Sequence, residues 1–74
     1  EALLFDNPSY DNSIIGISHN GRIIYSFEKM IEELCKEDNI EQDEAIDFIS
    51  YNTERAIPYA GENAPIIMYD LPFL

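Results

Sequence analysis

Apolar residues change their spacing along this chain, and each change marks an element. In residues 13–26, SIIGISHNGRIIYS, two short apolar runs at 14–17 and 23–25 flank Asn20-Gly21. Runs of this length bounded by turn formers read as strands. Asn-Gly best suits a type I′ turn, whose two central residues both need positive φ. The expectation is a β-hairpin with strands over 13–18 and 22–26. Gly16, inside the first strand, marks either a bulge or a close approach by another element.

From residue 26 the spacing becomes helical. Phe27, Met30, Ile31, Leu34 and Cys35 recur on one side, and Glu28, Glu32, Glu33 and Lys36 fill the other. Ser26 is the expected N-cap, the helix runs to about Lys36, and Asn39 suits a left-handed C-cap. A second helix is expected from about Glu41. Glu41 and Glu44 stand at capping-box spacing, and Ile40 and Ala45 can form a small staple. Asp43 and Glu44 fall in the first turn, where the helix dipole favours negative charge. Ala45, Ile46, Phe48, Ile49, Thr53, Ala56 and Ile57 give the apolar side. Asn52 falls on that stripe, where a buried amide needs backbone partners, here in the hairpin or in the YAGEN turn at 59–63. The helix is expected to end before Pro58, because the residue before a proline is pushed out of the helical region. A third strand follows at 65–70 in APIIMYDL, with Pro65 tolerated at its first residue or on an edge.

The order ββααβ is that of an α+β fold, a three-stranded, mainly antiparallel sheet with a two-helix hairpin packed on one face. The third strand is expected beside the second, antiparallel to it and parallel to the first. Residues 1–74 read as one small domain. It comprises an N-terminal extension (1–12), the β-hairpin (13–26), the helix pair (27–57) and the third strand (65–70). In the extension, EALLFDNPSYDN, Leu3, Leu4 and Phe5 are expected to dock on the domain as a short strand before a cluster of turn formers. At the other end, Phe73 is the residue whose packing would order the tail.

Charge narrows the possible partners further than hydrophobic content does. Fifteen acids against four bases give −11. Residues 28–54 hold ten of those acids and two lysines, a local −8. Direct binding to nucleic-acid phosphate needs a basic footprint, and an anionic membrane surface is disfavoured for the same reason. A basic protein partner is compatible with the charge, and so is simple solubility. No apolar run is long enough for a transmembrane helix, and the first residues lack a signal-peptide pattern. The expected location is cytoplasmic. Nine aromatics and 46 % hydrophobic residues supply a core. Cys35 is the only cysteine, so neither an internal disulfide nor a cysteine-based zinc site is available.

Candidate chemistry is sparse. YNTERAIPY at 51–59 groups Tyr51, Arg55 and Tyr59 near the end of the second helix. Tyr51 and Arg55, four apart, can stack guanidinium on ring. The segment reads either as a latch between helix and sheet or as a polar and aromatic patch for a partner. His19 beside the hairpin turn reads as a solvent-exposed turn residue, and Cys35 as a small hydrophobe of the core. Glu32-Glu33 and Asp43-Glu44 are adjacent and diverge around a helix, unlike the facing carboxylates of glycoside hydrolysis. DNIEQDEAIDF lacks the spacing of a calcium loop. NPSY at 7–10 matches a short N-P-x-Y peptide pattern but is first of all a turn. No cofactor, metal site or enzyme is expected.

The segments IIGISHNGRIIYSFEKMIEEL, DEAIDFISYNTERAIPY and APIIMYDL resemble a family of small acidic proteins of bacteria, prophages and other mobile elements. The resemblance covers roughly residues 14–70 and is most specific at Tyr51-Asn52-Thr53, Arg55-Ala56, Pro58-Tyr59 and residues 64–67. It implies a setting of phage–host interaction and brings no activity with it. The resulting expectation is a non-enzymatic protein-binding domain. It would present Glu32, Glu33, Asp43, Glu44 and Asp47 to a basic host protein, in the sharpest form by imitating DNA. The alternative uses Tyr51, Arg55, Tyr59 and Tyr69 to pair two copies as a homodimer or to dock on another protein, the acids then serving solubility.

Overall fold

The computed structural model describes residues 2–6 and 8–71. Two strands, β1 (Ile14–Ile17) and β2 (Ile23–Ser26), form the expected hairpin. They are followed by two helices, α1 (Phe27–Asp38) and α2 (Gln42–Phe48), and a third strand, β3 (Ile66–Met68). The sheet order is β1-β2-β3, so β2 is central. The architecture is α+β with a mixed sheet. β1 pairs antiparallel with β2, and β3 pairs parallel with it.

The hairpin sits where the pattern places it, but its turn is not type I′. Gly21 has φ +85°, whereas Asn20 does not take positive φ. The Gly21 N–H donates to the Ser18 carbonyl (2.9 Å), and the Ser18 N–H donates to the Arg22 carbonyl (2.8 Å). This is a three-residue loop built on a type I turn with glycine in the left-handed position. The reason is local. The Ser18 hydroxyl accepts the Arg22 N–H (3.0 Å) and is itself bonded to the Asn20 side chain, so Asn20 is used as a side-chain partner. His19 is exposed at this turn. In β1 the register slips between Ile14 and Gly16, a bulge at Ile15. A Cβ on Gly16 would meet nothing within 4 Å, so of its two readings the bulge is the one realised.

α1 follows β2 without a loop because Ser26 serves both elements. Its hydroxyl accepts the Lys29 N–H (3.3 Å) and donates to Asp70 Oδ2 (3.2 Å), tying the helix start to the residues after β3. Asn39 ends the helix at φ 54° as the expected left-handed C-cap, with the helix running to Asp38, two residues past the expected end near Lys36. Replacing Ser26 by alanine is expected to cost about 1 kcal/mol, read as a lower urea midpoint with an unchanged slope. α2 lacks the capping box: Glu41 is the N-cap residue but its side chain makes no cap bond. The Glu41 carbonyl still accepts the Ala45 N–H (3.0 Å).

The second helix departs most from its expected form. α-geometry stops at Phe48, and the chain continues as a wider π turn over Ile49–Thr53 and a tighter 3-10 segment over Glu54–Tyr59. The Glu54 N–H donates five residues back, to Ile49. Pro58 lies inside the 3-10 segment instead of following the helix, because the α ladder that a proline breaks has already ended. A 3.6-residue period therefore predicts burial poorly from Phe48 onward. Ala45, Ile49 and Thr53 are buried, while Phe48 and Ala56 are exposed and Ile57 is half-buried.

β3 runs parallel to β2, not antiparallel as expected. The expected course assumed two straight helices returning the chain to its starting end. Residues 27–65, helical segments with no strand between them, instead form a crossover, the kind of connection that parallel neighbours require. Arg22 helps seat β3 by donating from Nε to the Ala64 carbonyl (2.7 Å). Pro65 precedes the strand, where its missing N–H is harmless.

Tyr10, Tyr25, Phe27, Met30, Ile31, Leu34, Ala45 and Ile49 form the core, with Cys35 and Ile40 packed against it at half-burial. The N-terminal segment belongs to this core, though not as a strand. The Phe5 ring lies 4.5 Å from that of Tyr25 and 5.8 Å from that of Tyr10, and the Phe5 N–H donates to the Tyr25 hydroxyl (3.0 Å). Leu3 and Leu4 are exposed, Leu3 being held by its N–H to the Asn63 carbonyl (3.1 Å). Tyr10, the last residue of NPSY, is buried against Thr53 and so is not displayed to a partner; Asn7 lies outside the described residues, as does Phe73.

Candidate protein-binding surface

Five carboxylates were expected on one helical surface, and four of them face solvent. Glu32 projects from α1, and Asp43, Glu44 and Asp47 from α2, all exposed. Glu33 differs: it is half-buried and accepts a hydrogen bond from the Ser13 hydroxyl (3.0 Å). It pins the N-terminal turn to α1 and drops out of the set freely offered to a partner. A shallow groove of ≈ 590 Å³ runs beside α1, lined by Glu28, Ile31, Glu32, Cys35, Lys36 and Gln42. Its lining mixes the apolar Ile31 and Cys35 with the carboxylates of Glu28 and Glu32, the amide of Gln42 and one cation, Lys36.

YNTERAIPY divides into two sets of residues. The latch is made by Thr53 and Glu54. The Thr53 Oγ1 and the buried Tyr10 hydroxyl are 3.3 Å apart, and the Tyr69 hydroxyl donates to the Glu54 carboxylate. Tyr69 also stacks on Phe27, with centroids 4.3 Å apart and planes at 15°. Asn52 is exposed, and its Nδ2 donates to the Phe48 carbonyl (3.1 Å) within its own helix. The expected partners in the hairpin or the 59–63 turn are thus replaced by a carbonyl where the backbone ladder changes step. Tyr51 and Tyr59 are 66 % and 90 % exposed, and Arg55 is exposed between them in sequence. Nothing in the structure stacks the Arg55 guanidinium on the Tyr51 ring.

The tyrosines register their surroundings in their acidity. Partial burial, then the hydrogen bond and the charge of Glu54, push the Tyr69 pKa up to about 12. Burial likewise raises Tyr10 and Tyr25, outweighing the hydrogen bonds that act the other way. A tyrosine whose folded pKa exceeds its unfolded value stabilises the fold fully below the unfolded value, and that contribution is lost as pH rises through the folded one. The urea midpoint should therefore fall as pH climbs from 10 towards 12, and Tyr69→Phe should flatten part of that fall.

Sequence reasoning missed the small apolar groove between the N-terminal segment and the 3-10 turn. It measures ≈ 190 Å³ and is lined by Leu3, Leu4, Ala56, Ile57, Ala60 and Pro65, among others. Only the apolar triplet at 3–5 hinted at it. Among the described residues, no group of three His, Cys, Asp or Glu side chains is placed to hold a metal, and no helix is long and apolar enough to cross a membrane. Compared with protein-family models, curated proteins and solved structures, the chain matches none. The functional reading therefore rests on the geometry of its own residues.

Proposed function

We propose that this chain is a non-enzymatic protein-binding domain that presents the acidic outer surface of its two helices to a basic protein. The observation that carries this reading is that Glu32, Asp43, Glu44 and Asp47 are all exposed, in a segment of net −8 beside a concave, partly apolar groove. Charge of one sign on a shaped surface steers an oppositely charged partner and sets its specificity. An imitation of DNA by this surface is the sharpest form of the proposal, and a setting of phage–host interaction in the cytoplasm accords with it.

The test is capture of partners from nuclease-treated lysate at low and high salt, read by mass spectrometry. A basic protein retained at low salt and lost at high salt supports the reading, since exposed charges are screened. The wide exposure of Tyr51 and Tyr59 favours a second reading, in which the tyrosine end docks on a partner and the acids confer solubility. A partner retained at high salt and lost on Tyr51→Ala or Tyr59→Ala would select that surface instead.

A further inference from the structure

We infer that β1 is the edge through which two copies of this chain associate, strand against strand about a two-fold axis. The order β1-β2-β3 leaves β1 at one side of the sheet. Its Ile14, Ile15 and Ile17 are 37 %, 43 % and 67 % exposed. Native edge strands are usually guarded by lysine, proline, extreme shortness or a covering segment. The opposite edge has such guards: β3 is three residues long, is entered by the buried Pro65, and leads into Tyr69 stacked on Phe27. β1 contains no charge and no proline, and its neighbours Asn12, Ser13 and Ser18 are uncharged. Its guards are its length of four residues and the bulge at Ile15, and that residue itself adds exposed apolar surface.

The distribution of charge selects a second copy as the occupant. Two chains of −11 repel wherever their helices face each other. Residues 12–27 contain no acid, and Arg22 is their only lysine or arginine. The hairpin is thus where like chains approach at least electrostatic cost. A free strand edge flanked by isoleucines offers little to a charged partner, but it complements itself, as a two-fold interface requires. Four residues interrupted by a bulge bury well under the roughly 800 Å² per partner of a standard interface. The dimer is accordingly weak, with dissociation in the micromolar range or above.

The test is sedimentation equilibrium of the full chain across protein concentration, at low and high salt, beside Ile17→Lys and the milder Ile17→Thr. The expected result is a reversible dimer that tightens as salt screens the repulsion and weakens at least about tenfold in Ile17→Lys. Ile17→Thr, which keeps a branched strand-forming residue, should weaken it less and shows that the lysine effect is not unfolding. The salt response is opposite in sign to that of the acidic surface binding a basic protein, so the two proposals fail separately. A monomer at every concentration would overturn the inference. So would a dimer indifferent to Ile17→Lys but lost on Tyr59→Ala, or a chain that pairs through β1 only with a different protein.

Discussion

Replacing Tyr25 by alanine is expected to be the most destabilising single truncation in the core, lowering the urea midpoint sharply. Tyr25 is fully buried in the central strand, opposite Ile14 on one side and Ile67 on the other. Its ring packs on Phe5, and its hydroxyl holds the Phe5 N–H, so it joins the sheet to the N-terminal segment. Truncating a buried aromatic side chain costs about 3–5 kcal/mol. A domain of 74 residues has about 4–11 kcal/mol in total. The alanine variant should therefore lose a large share of its stability and unfold at a much lower urea midpoint, with weakened near-ultraviolet circular dichroism. Tyr25→Phe removes only the hydrogen bond to Phe5 and should cost about 1 kcal/mol, keeping a sharp transition at a lower urea midpoint. An alanine variant with the midpoint of the parent would contradict this account of the core.

Why this residue and not a more obvious one shows what the sequence makes legible. α1 could be read almost completely, because its cap at Ser26, its apolar spacing and its end at Asn39 are all local signals. The hairpin could be placed but not its turn type, which Ser18 decides by bonding Asn20 and Arg22. The direction of β3 was not legible, because it depends on how the whole of residues 27–65 crosses back to the sheet and no local pattern announces that. Tyr10 was hidden among turn formers, its partner Thr53 lying 43 residues away.

The candidate surface divides in the same way. Exposure of Glu32, Asp43, Glu44 and Asp47 follows from helical period alone, whereas the engagement of Glu33 by Ser13 spans 20 residues and had no sequence signature. In YNTERAIPY the expected latch exists, but Thr53 and Glu54 form it, which leaves Tyr51, Arg55 and Tyr59 in solvent. Asn52 was misplaced for the same reason as Ala56: a fixed 3.6-residue stripe was extended across a segment that does not keep that period.

Reversing the four exposed acids together, Glu32→Lys, Asp43→Lys, Glu44→Lys and Asp47→Lys, should weaken the basic partner at least about 100-fold, the scale of several like-charge contacts replacing attractive ones. Each reversal adds two charges, so the four take the net charge from −11 to −3. The fold should survive, since all four side chains are exposed. Two of them, Asp43 and Glu44, lie in the first turn of α2, where lysine opposes the helix dipole at about 0.3–1 kcal/mol each. The matching glutamine and asparagine variant separates that cost from the loss of binding. It should remain at least as stable as the lysine variant while still binding more weakly than the parent chain. Glu33 is left untouched because its bond to Ser13 would confound the result.

The most direct measurement is the dissociation constant of the captured partner as a function of salt, for the parent chain and the four-lysine variant side by side. The account predicts that the parent's affinity falls steadily as salt rises and that the variant binds weakly at every salt concentration. Affinity that stays constant with salt, or persists in the variant, would contradict an acidic binding surface.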